Sequence, residues 1–187
     1  PVPTPKPTPA PTPLPTPAPT PAPTPPPGPA PSSMRAVLNQ HNYYRAKHSV
    51  PPLGWDAALA KQAASWARKC VWKHSSMGNG ENLWTGTGSF NGAAAVTSWY
   101  NEIKDYDYKN PGFTHGTGHF TQVVWKSTSR VGCAMKVCNP LSPLGWRNAK
   151  YLVCEYSPPG NYLGQFGQNV LPRKSLDNEW TNSTLFM

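Results

Sequence analysis

Two histidines and two glutamates are the side chains of this sequence best suited to a metal or acid–base site. Neutral imidazoles are good ligands for divalent ions such as zinc, and a neighbouring carboxylate can act as a ligand or a base. The compact HExxH motif is absent, so the residues favour metal binding over catalysis. The alternative is a buried polar network in which each glutamate accepts a hydrogen bond from a histidine or a backbone amide. The four residues are His74, Glu81, Glu102 and His119.

A second candidate site is the segment 105–118, which carries Tyr106, Tyr108 and Phe113 among glycine, asparagine and proline residues. Aromatic rings on such a loop form a flat apolar surface that can cover the ring system of a sterol. The alternative is that the rings pin a long loop to the body of the domain. In either case the segment is too aromatic for a plain linker.

The first predicted helix begins near Met34, is capped by Ser32 and Ser33, and stops before Pro51. His41 falls on the apolar stripe of this helix. A histidine in such a place is more often hydrogen-bonded and half-buried than a ligand. We therefore expect His41 to be structural.

Two further helices are predicted to position part of the metal or acid–base site. Asp56 is expected to cap a helix whose apolar face leads to Cys70, with His74 just beyond its end. Asn91 is expected to cap another helix that continues through Glu102. The ends of both helices would then carry candidate residues.

Shorter elements are predicted for the rest of the chain. A strand at 81–85 and a helix at 119–125 carry the other two candidate residues. Segment 130–138 alternates in polarity and 150–156 returns, which predicts a hairpin. The hairpin can place Cys133 opposite Cys154, so that a disulfide across it is geometrically reasonable.

The first 33 residues differ from the rest, because they hold most of the 25 prolines of the 187-residue chain. Proline at every second position removes backbone donors and favours extended polyproline II. We expect this arm to be a disordered spacer, although it could also bind proline-reading domains or carry glycans on its threonines. The remainder has the length of one ordinary domain.

Charge narrows the range of partners. The net charge is +9, and Lys6 is the one charged residue of the arm, so nearly all of the excess lies in the domain. A basic surface favours acidic partners such as anionic lipid or wall polysaccharide. Specific nucleic-acid binding is not expected, because the basic residues are scattered and form no known binding motif.

The four cysteines match no zinc-ribbon spacing and suit two disulfides in an oxidising compartment. A glycosylation sequon at Asn182 agrees with secretion to the extracellular space or cell wall. We expect that a signal peptide has been removed ahead of Pro1. No run of about 18 apolar residues is present that could span a bilayer.

Two motifs resemble the signatures of the CAP superfamily, which groups cysteine-rich secretory proteins, antigen 5 and pathogenesis-related protein 1. Residues 118–125, Gly-His-Phe-Thr-Gln-Val-Val-Trp, match the first signature at every position. Residues 151–162 match the second except at Glu155, where small or amide residues are usual. The resemblance covers residues 34–167, which leaves 168–187 as a tail. The arm and the low cysteine count look most like secreted fungal members.

The resemblance implies an α+β fold, a three-layer α-β-α sandwich with a mixed, largely antiparallel central sheet. It implies a cleft that holds His74, Glu81, Glu102 and His119, and disulfides Cys70–Cys138 and Cys133–Cys154. The third disulfide of the plant members, in the loop before the first signature, is missing here, so that loop should be looser.

The resemblance also implies a function. Secreted fungal members are associated with sterol and fatty-acid binding, with sterol contacts assigned to an aromatic loop that corresponds to Tyr106, Tyr108 and Phe113. A monomeric lipid carrier is therefore the first hypothesis, with fatty acid in a separate groove between helices. The alternative is a metal-dependent hydrolase that uses the His/Glu tetrad. A third possibility is a secreted effector or the source of a signalling peptide, which the departure at Glu155 weakens.

Overall fold

The computed structural model describes residues 28–174, so most of the proline-rich arm, the tail from 175 onwards and Asn182 lie outside the described residues. Its helices are α1 Ser32–Lys47, α2 Ala57–Ala67, α3 Gly92–Tyr100, α4 Gly118–Val124 and α5 Phe166–Asn169, with a 3-10 helix at Asn101–Asp105. Its strands are β1 Gly54–Trp55, β2 Gly80–Gly86, β3 Arg130–Cys138 and β4 Ala149–Ser157.

Two helices begin at the side-chain caps expected from the sequence. The carboxylate of Asp56 accepts hydrogen bonds from the backbone N–H groups of Ala58 and Leu59, at 2.8 and 3.0 Å. The amide oxygen of Asn91 accepts from the N–H of Ala94 at 3.0 Å. Both predicted caps are confirmed, and each satisfies donors that the first turn of a helix leaves unpaired.

The start of α1 differs from the prediction. The capping residue is Pro31, which makes no side-chain hydrogen bond, while Ser32 and Ser33 are already helical. The predicted serine cap is therefore wrong, and the reason is that the extended backbone of Pro31 leads directly into the first turn. Ala30 is buried and Gly28 forms a bridge to β1, so the packed part of the chain begins before residue 34.

The central sheet has the strand order β1-β3-β4-β2. β1 runs parallel to β3, whereas the β3–β4 and β4–β2 pairs are antiparallel. The sheet is thus mixed and largely antiparallel, as expected. α2 packs against β3 and β4, and α1, α3 and α4 pack together in the other layer, which gives the α-β-α sandwich.

The side chains of β4 divide the core into two parts. Leu152, Cys154 and Tyr156 belong to the larger apolar cluster, which includes residues of α1, α3 and α4. Tyr151 and Val153 belong to the smaller cluster beneath α2. This alternation is the two-residue period of a strand that is covered on both faces.

Two disulfides lie on opposite sides of this sheet. Cys133 and Cys154 are directly opposed in the β3–β4 register, with Cα atoms 4.1 Å apart. Cys70 and Cys138 have Cα atoms 5.5 Å apart and join the segment after α2 to the end of β3. These are the two pairs that the family resemblance implies.

The packed chain continues past residue 167. Asn169 and Val170 are buried, and the N–H of Lys174 donates to the carbonyl of Lys47 at 2.9 Å. Glu102 lies in the 3-10 helix rather than in α3, where the sequence had suggested it. In the part of the chain that the structure describes, no helix is both long and apolar enough to cross a membrane.

Candidate functional site

A cleft of about 180 Å³ opens beside the edge strand β2. It brings together the two predicted histidines, which come from the segment after α2 and from the first turn of α4. Glu81 also lines it, whereas Glu102 contacts His119 from behind. The lining residues are His74, Glu81, Asn82, Phe113, His115, Gly118, His119 and Asn161.

His74 is held by Glu81. Its Nδ1 atom lies 2.6 Å from Glu81 Oε1, and the backbone N–H of Ser75 donates to both oxygens of the same carboxylate at 3.0 and 3.2 Å. Burial alone would raise the pKa of Glu81, but the hydrogen bonds from His74 and Ser75 outweigh it and hold that pKa below its ordinary value. Glu81 is thus an ionised, buried support for an imidazole whose side chain is 64% exposed.

His119 is held in the same way by Glu102. Its Nδ1 atom lies 2.6 Å from Glu102 Oε1, while Oε2 accepts from the backbone N–H groups of His119 and Phe120 at 3.0 and 3.1 Å. Thr117, at the start of α4, makes no side-chain capping bond. Glu102 therefore caps α4 from a distant part of the chain and orients the imidazole at the same time.

The edge strand β2 links the two pairs. Glu81 points towards the layer of α2, and the next residue, Asn82, points to the opposite face by the alternation of a strand. The side-chain amide of Asn82 donates to the carbonyl of His119 at 3.1 Å. On its other side His119 stacks over Trp99, with ring centroids 6.2 Å apart. Both imidazoles are therefore fixed relative to the same strand.

The chemistry of the two pairs fits a divalent ion held by imidazole nitrogens. A carboxylate oxygen accepts the hydrogen bond from Nδ1, so in the neutral form of each imidazole Nε2 is the nitrogen with a lone pair for a metal ion. Among residues 28–174 no partner contacts Nε2 of His74 or His119. A carboxylate behind the imidazole is the usual support of a metal-binding histidine.

The two His–Glu pairs supply two protein ligands for a metal ion, fewer than the three or four that a zinc site usually has. Within the described residues, no three or more His, Cys, Asp or Glu side chains are close enough together to hold one ion. Glu81 and Glu102 each lie behind an imidazole, so they would orient ligands instead of serving as ligands. An ion held by the two Nε2 atoms would keep positions open for water or a bound molecule.

Glu155, where the chain departs from the family signature, lies next to this cleft. It is opposite Glu81 in the β2–β4 register and is fully buried. Burial, followed by the contact with Glu81, raises the pKa of Glu155 to about 8. The hydroxyl of Ser75 donates to its Oε1 at 3.4 Å. A protonated Glu155 can share its proton with the ionised Glu81 across the strand pair.

The three aromatic residues of the 105–118 loop occupy different surroundings. Tyr106 is buried against Phe120, with ring centroids 5.5 Å apart, and Tyr108 packs edge-on against Tyr106 at 4.8 Å. The hydroxyls of both tyrosines are buried, and neither has a hydrogen-bond partner among the described residues. Phe113 is 44% exposed and lines the cleft. The tyrosines thus anchor the loop, and Phe113 is the ring available at the surface.

Sequence reasoning missed several residues of the cleft. Asn161 accepts from the hydroxyl of Thr121 at 2.6 Å and donates to the carbonyl of Gly118 at 2.9 Å, which joins the second signature to the first. Its place inside a signature was a usable signal. Asn82 and His115 had none, because a polar residue beside a glutamate or in a loop has no distinguishing spacing.

Solved structures share this fold. The structure of BmVAL-1 is 26% identical, with a TM-score of 0.57, and the match covers 72% of this chain and 80% of that chain. The crystal structure of hookworm platelet inhibitor is 23% identical, with a TM-score of 0.60, and the match covers 78% of this chain and 79% of that chain. At this level of identity the second likeness concerns the fold alone.

Curated relatives include three from yeasts and human. Protein PRY2 of Saccharomyces cerevisiae is 43% identical over 142 residues, which cover 73% of this chain and 40% of that protein. Repressed by EFG1 protein 1 of Candida albicans is 41% identical over 150 residues, covering 73% and 52%. Peptidase inhibitor 15 of Homo sapiens is 36% identical over 156 residues, covering 72% and 60%. The chain therefore spans between 40% and 60% of the length of these relatives.

The family model described as the cysteine-rich secretory protein family, CAP, matches residues 38–156. That range begins within α1 and ends one residue before the end of β4, and it contains both disulfides and all four residues of the two His–Glu pairs. It also includes the whole of the first signature and the start of the second. On this match and on these relatives, the chain belongs to the cysteine-rich secretory protein (CAP) family.

Proposed function

We propose that this protein is an extracellular carrier of sterols, which it binds at the 105–118 loop. The observation that carries the proposal is the pair of buried tyrosine hydroxyls at the base of that loop, on Tyr106 and Tyr108, which lack partners among residues 28–174. A buried hydroxyl without a partner costs about 1–3 kcal/mol. A fold that retains two of them side by side has hydrogen-bonding capacity to offer a ligand.

A sterol matches what the loop offers. It is a rigid apolar ring system with a single hydroxyl, so it needs extensive apolar contact and one hydrogen-bonding partner. Phe113 supplies an exposed ring at the surface of the loop. In this proposal the loop opens when sterol binds, so that one of the buried tyrosine hydroxyls can pair with the sterol hydroxyl. The paired rings of Tyr106 and Tyr108 would add apolar surface once the loop has opened.

Replacing Phe113 by alanine tests this proposal. Because Phe113 is 44% exposed in the free protein, its loss should lower the free energy of unfolding by less than the loss of a fully buried ring, about 3–5 kcal/mol. Its loss should weaken sterol binding about tenfold, since a fully buried Phe contributes roughly 1.5–3 kcal/mol. Radiolabelled sterol binding and thermal melts of the secreted protein measure the two effects.

Leu163 is the matched control, because it is an exposed apolar residue outside the loop, at 81% exposure. Leu163→Ala should leave both sterol affinity and stability unchanged. Wild-type protein that binds no sterol, or a Phe113→Ala variant with undiminished affinity, would contradict the proposal.

The location proposed for this carrier rests on two further observations. Both disulfides require an oxidising compartment to persist. The matching family is described as secretory. These support an extracellular protein, and attachment of the arm to a cell wall is a further part of the proposal. Fatty acid, if carried, would lie in an apolar groove between helices rather than at the loop.

A second candidate function is divalent-ion binding in the cleft, favoured by the two free Nε2 atoms of His74 and His119. A bound ion such as zinc would supply Lewis-acid chemistry there. The carboxylates of Glu81 and Glu102 are each committed to an imidazole and to backbone amides. Neither is free to act as the general base of a hydrolase, so we propose ion binding and not turnover.

A further inference from the structure

The turn that joins β3 to β4, residues 139–148, exposes large apolar side chains at its tip. All side chains from 142 to 148 are exposed, among them Leu144 at 38% and Trp146 at 46%. Exposed single apolar residues are ordinary. Leu144 and Trp146, two residues apart on one turn, form an apolar patch of the kind that can contact another molecule.

This patch is displayed on a firmly held turn. Leu141 is fully buried beneath it, and its N–H donates to the carbonyl of Trp146 at 2.9 Å. At the base, the Cys70–Cys138 disulfide and the hydrogen bond from Ser142 N–H to the carbonyl of Cys70, at 2.9 Å, tie the turn to the segment after α2. Leu144 and Trp146 therefore stay exposed because the backbone around them is fixed.

The charged residues of the turn and of the strand ends that it joins are all basic. Lys136, Arg147 and Lys150 flank the patch, and no Asp or Glu occurs anywhere from 136 to 150. Arg147 lines an open depression of about 410 Å³ together with Trp146 and Thr87. A guanidinium can bind a phosphate group through two parallel hydrogen bonds.

We propose that the 139–148 turn docks the protein onto lipid bilayers that contain anionic headgroups. Leu144 and Trp146 enter the interfacial region, where a tryptophan ring is favoured because its body is apolar and its N–H can meet headgroups. Arg147 binds a lipid phosphate at the depression. Aliphatic Leu144 and the absence of carboxylates favour lipid over a neutral polysaccharide, which needs polar side chains to hold its hydroxyls.

This docking does not depend on the proposed sterol site, since the turn and the 105–118 loop share no residue. A carrier must nevertheless reach a membrane to exchange its cargo. The two proposals can fail separately, because one is measured by vesicle association and the other by sterol affinity in the absence of vesicles.

Vesicle flotation of the full chain tests the docking. The protein should float with vesicles of phosphatidylcholine and phosphatidylserine, and much less with phosphatidylcholine alone. The double variant L144S/W146S should bind more than tenfold more weakly because it removes the inserted apolar groups. Arg147→Ala should reduce partitioning about fivefold, the contribution of one basic residue near an anionic surface.

Two controls keep the outcome specific. Leu163→Ser removes an exposed apolar residue elsewhere, and Arg35→Ala removes an exposed charge on α1. Both should float like the wild type. Thermal melts should show that every variant is folded at the temperature of the assay, with L144S/W146S somewhat less stable because Leu144 and Trp146 are 38% and 46% exposed and therefore partly packed. No flotation, or undiminished flotation of L144S/W146S, would overturn the proposal. Binding of insoluble wall glucan that needs Trp146, without vesicle binding, would also overturn it and identify a polysaccharide surface.

Discussion

Four histidines of this protein form two pairs that differ in how their ring nitrogens are used. His41 contacts the carbonyl of Val37 and the hydroxyl of Tyr156, both at 2.8 Å. His48 contacts the carbonyl of Leu171 at 2.6 Å and the hydroxyl of Tyr100 at 2.9 Å. Both rings are completely buried. Every hydrogen-bonding position of these interior imidazoles is therefore filled.

In the cleft, His74 and His119 each have a carboxylate on Nδ1, and within residues 28–174 Nε2 has no hydrogen-bond partner. These residues are histidines like those of the interior. They differ because their Nε2 atoms are still able to form a hydrogen bond or bind a metal ion. Buried polar groups that have all their hydrogen-bond partners stabilise the fold. An oriented imidazole with a free lone pair can in addition bind a metal ion or a ligand.

The tyrosines can also be divided into those whose hydroxyls have a hydrogen-bond partner and those whose hydroxyls have none. The hydroxyls of Tyr100 and Tyr156 pair with the interior histidines, and that of Tyr44 donates to Thr97 Oγ1 at 3.0 Å. Those of Tyr106 and Tyr108 have no partner in the described chain, and neither has that of Tyr151 in the smaller cluster beneath α2.

Buried groups without a partner also occur in the core, at Tyr151 and Trp125. The cleft and the loop differ from these because each combines unpaired polar groups with an exposed side chain, His74 in the cleft and Phe113 in the loop. Experiments on the paired and on the unpaired groups can test this comparison.

The largest expected effect on stability comes from an interior residue whose hydrogen-bonding groups are all paired. Arg45 is fully buried on α1 and donates to the carbonyls of Pro51, Val123, Trp125 and Thr128 at 2.7–3.0 Å. Arg45→Met should lower the free energy of unfolding by at least about 3 kcal/mol, because it leaves several buried carbonyls unpaired. Urea unfolding of the secreted protein measures this loss.

Arg35→Met is the control, since Arg35 is exposed on the same helix. It should change the free energy of unfolding by less than about 0.5 kcal/mol. Equal stabilities for the two variants would break the claim that the interior network holds the fold.

A second effect of the interior class is a dependence of stability on pH. Burial, the largest cause, lowers the pKa of His41 from 6.5 to about 4, and burial also lowers the pKa of His48. Between pH 6.5 and 4 the unfolded chain therefore binds protons that the folded protein does not. The His41 contribution is complete above pH 6.5 and is lost as the pH falls to 4, a change of about 3 kcal/mol.

Urea unfolding at a series of pH values should show this loss, and His41→Gln should flatten it because glutamine does not titrate. If the stability of His41→Gln depends on pH as steeply as that of the wild type, another group is responsible for the pH dependence. That result would contradict the role given to His41.

The cleft histidines should bind a divalent ion, and substitutions in the interior should not change the affinity for that ion. Zinc titration by calorimetry should give one site per chain, weakened at least tenfold by His74→Gln or His119→Gln, because each removes one of two nitrogen ligands. Glu102→Gln should weaken the same site about tenfold by loosening the imidazole it orients.

His41→Gln is the matched control for the zinc titration, and its affinity should equal that of the wild type. Unchanged zinc affinity in both the His74→Gln and the His119→Gln variants would show that these histidines do not bind the ion. Both pairs of histidines would then be structural.

Much of the fold could be predicted from local sequence. The caps Asp56 and Asn91 and the alternation of β3 are signals contained within a few residues, and each predicted its element correctly. β1 has two residues and α5 has four, which is too short for a periodic pattern. Both exist because the surrounding structure supplies their contacts, so no local signal could have predicted them.

The site was predictable as a set of residues but not as an arrangement. The signature around His119 identified the cleft, yet the capping of α4 by Glu102 joins positions 17 residues apart. The sequence also could not separate Tyr106 and Tyr108, which pack inward, from the exposed Phe113. An aromatic loop has the same composition whichever way its rings point.

The most direct test of the central claim, that the unpaired hydroxyls of Tyr106 and Tyr108 bind the sterol, is sterol affinity measured beside urea unfolding for Y106F/Y108F. Each substitution removes only a hydroxyl. Tyr44→Phe is the control, because its hydroxyl is paired, and it should lose about 1 kcal/mol of stability without any change in sterol affinity.

For Y106F/Y108F the account predicts a free energy of unfolding equal to the wild type or higher by about 1 kcal/mol, because a buried unpaired hydroxyl is removed at each position. It predicts at the same time a sterol affinity about fivefold lower or weaker still, since the hydrogen bond to the ligand is lost. A variant that is less stable than the wild type and binds sterol with undiminished affinity would contradict it.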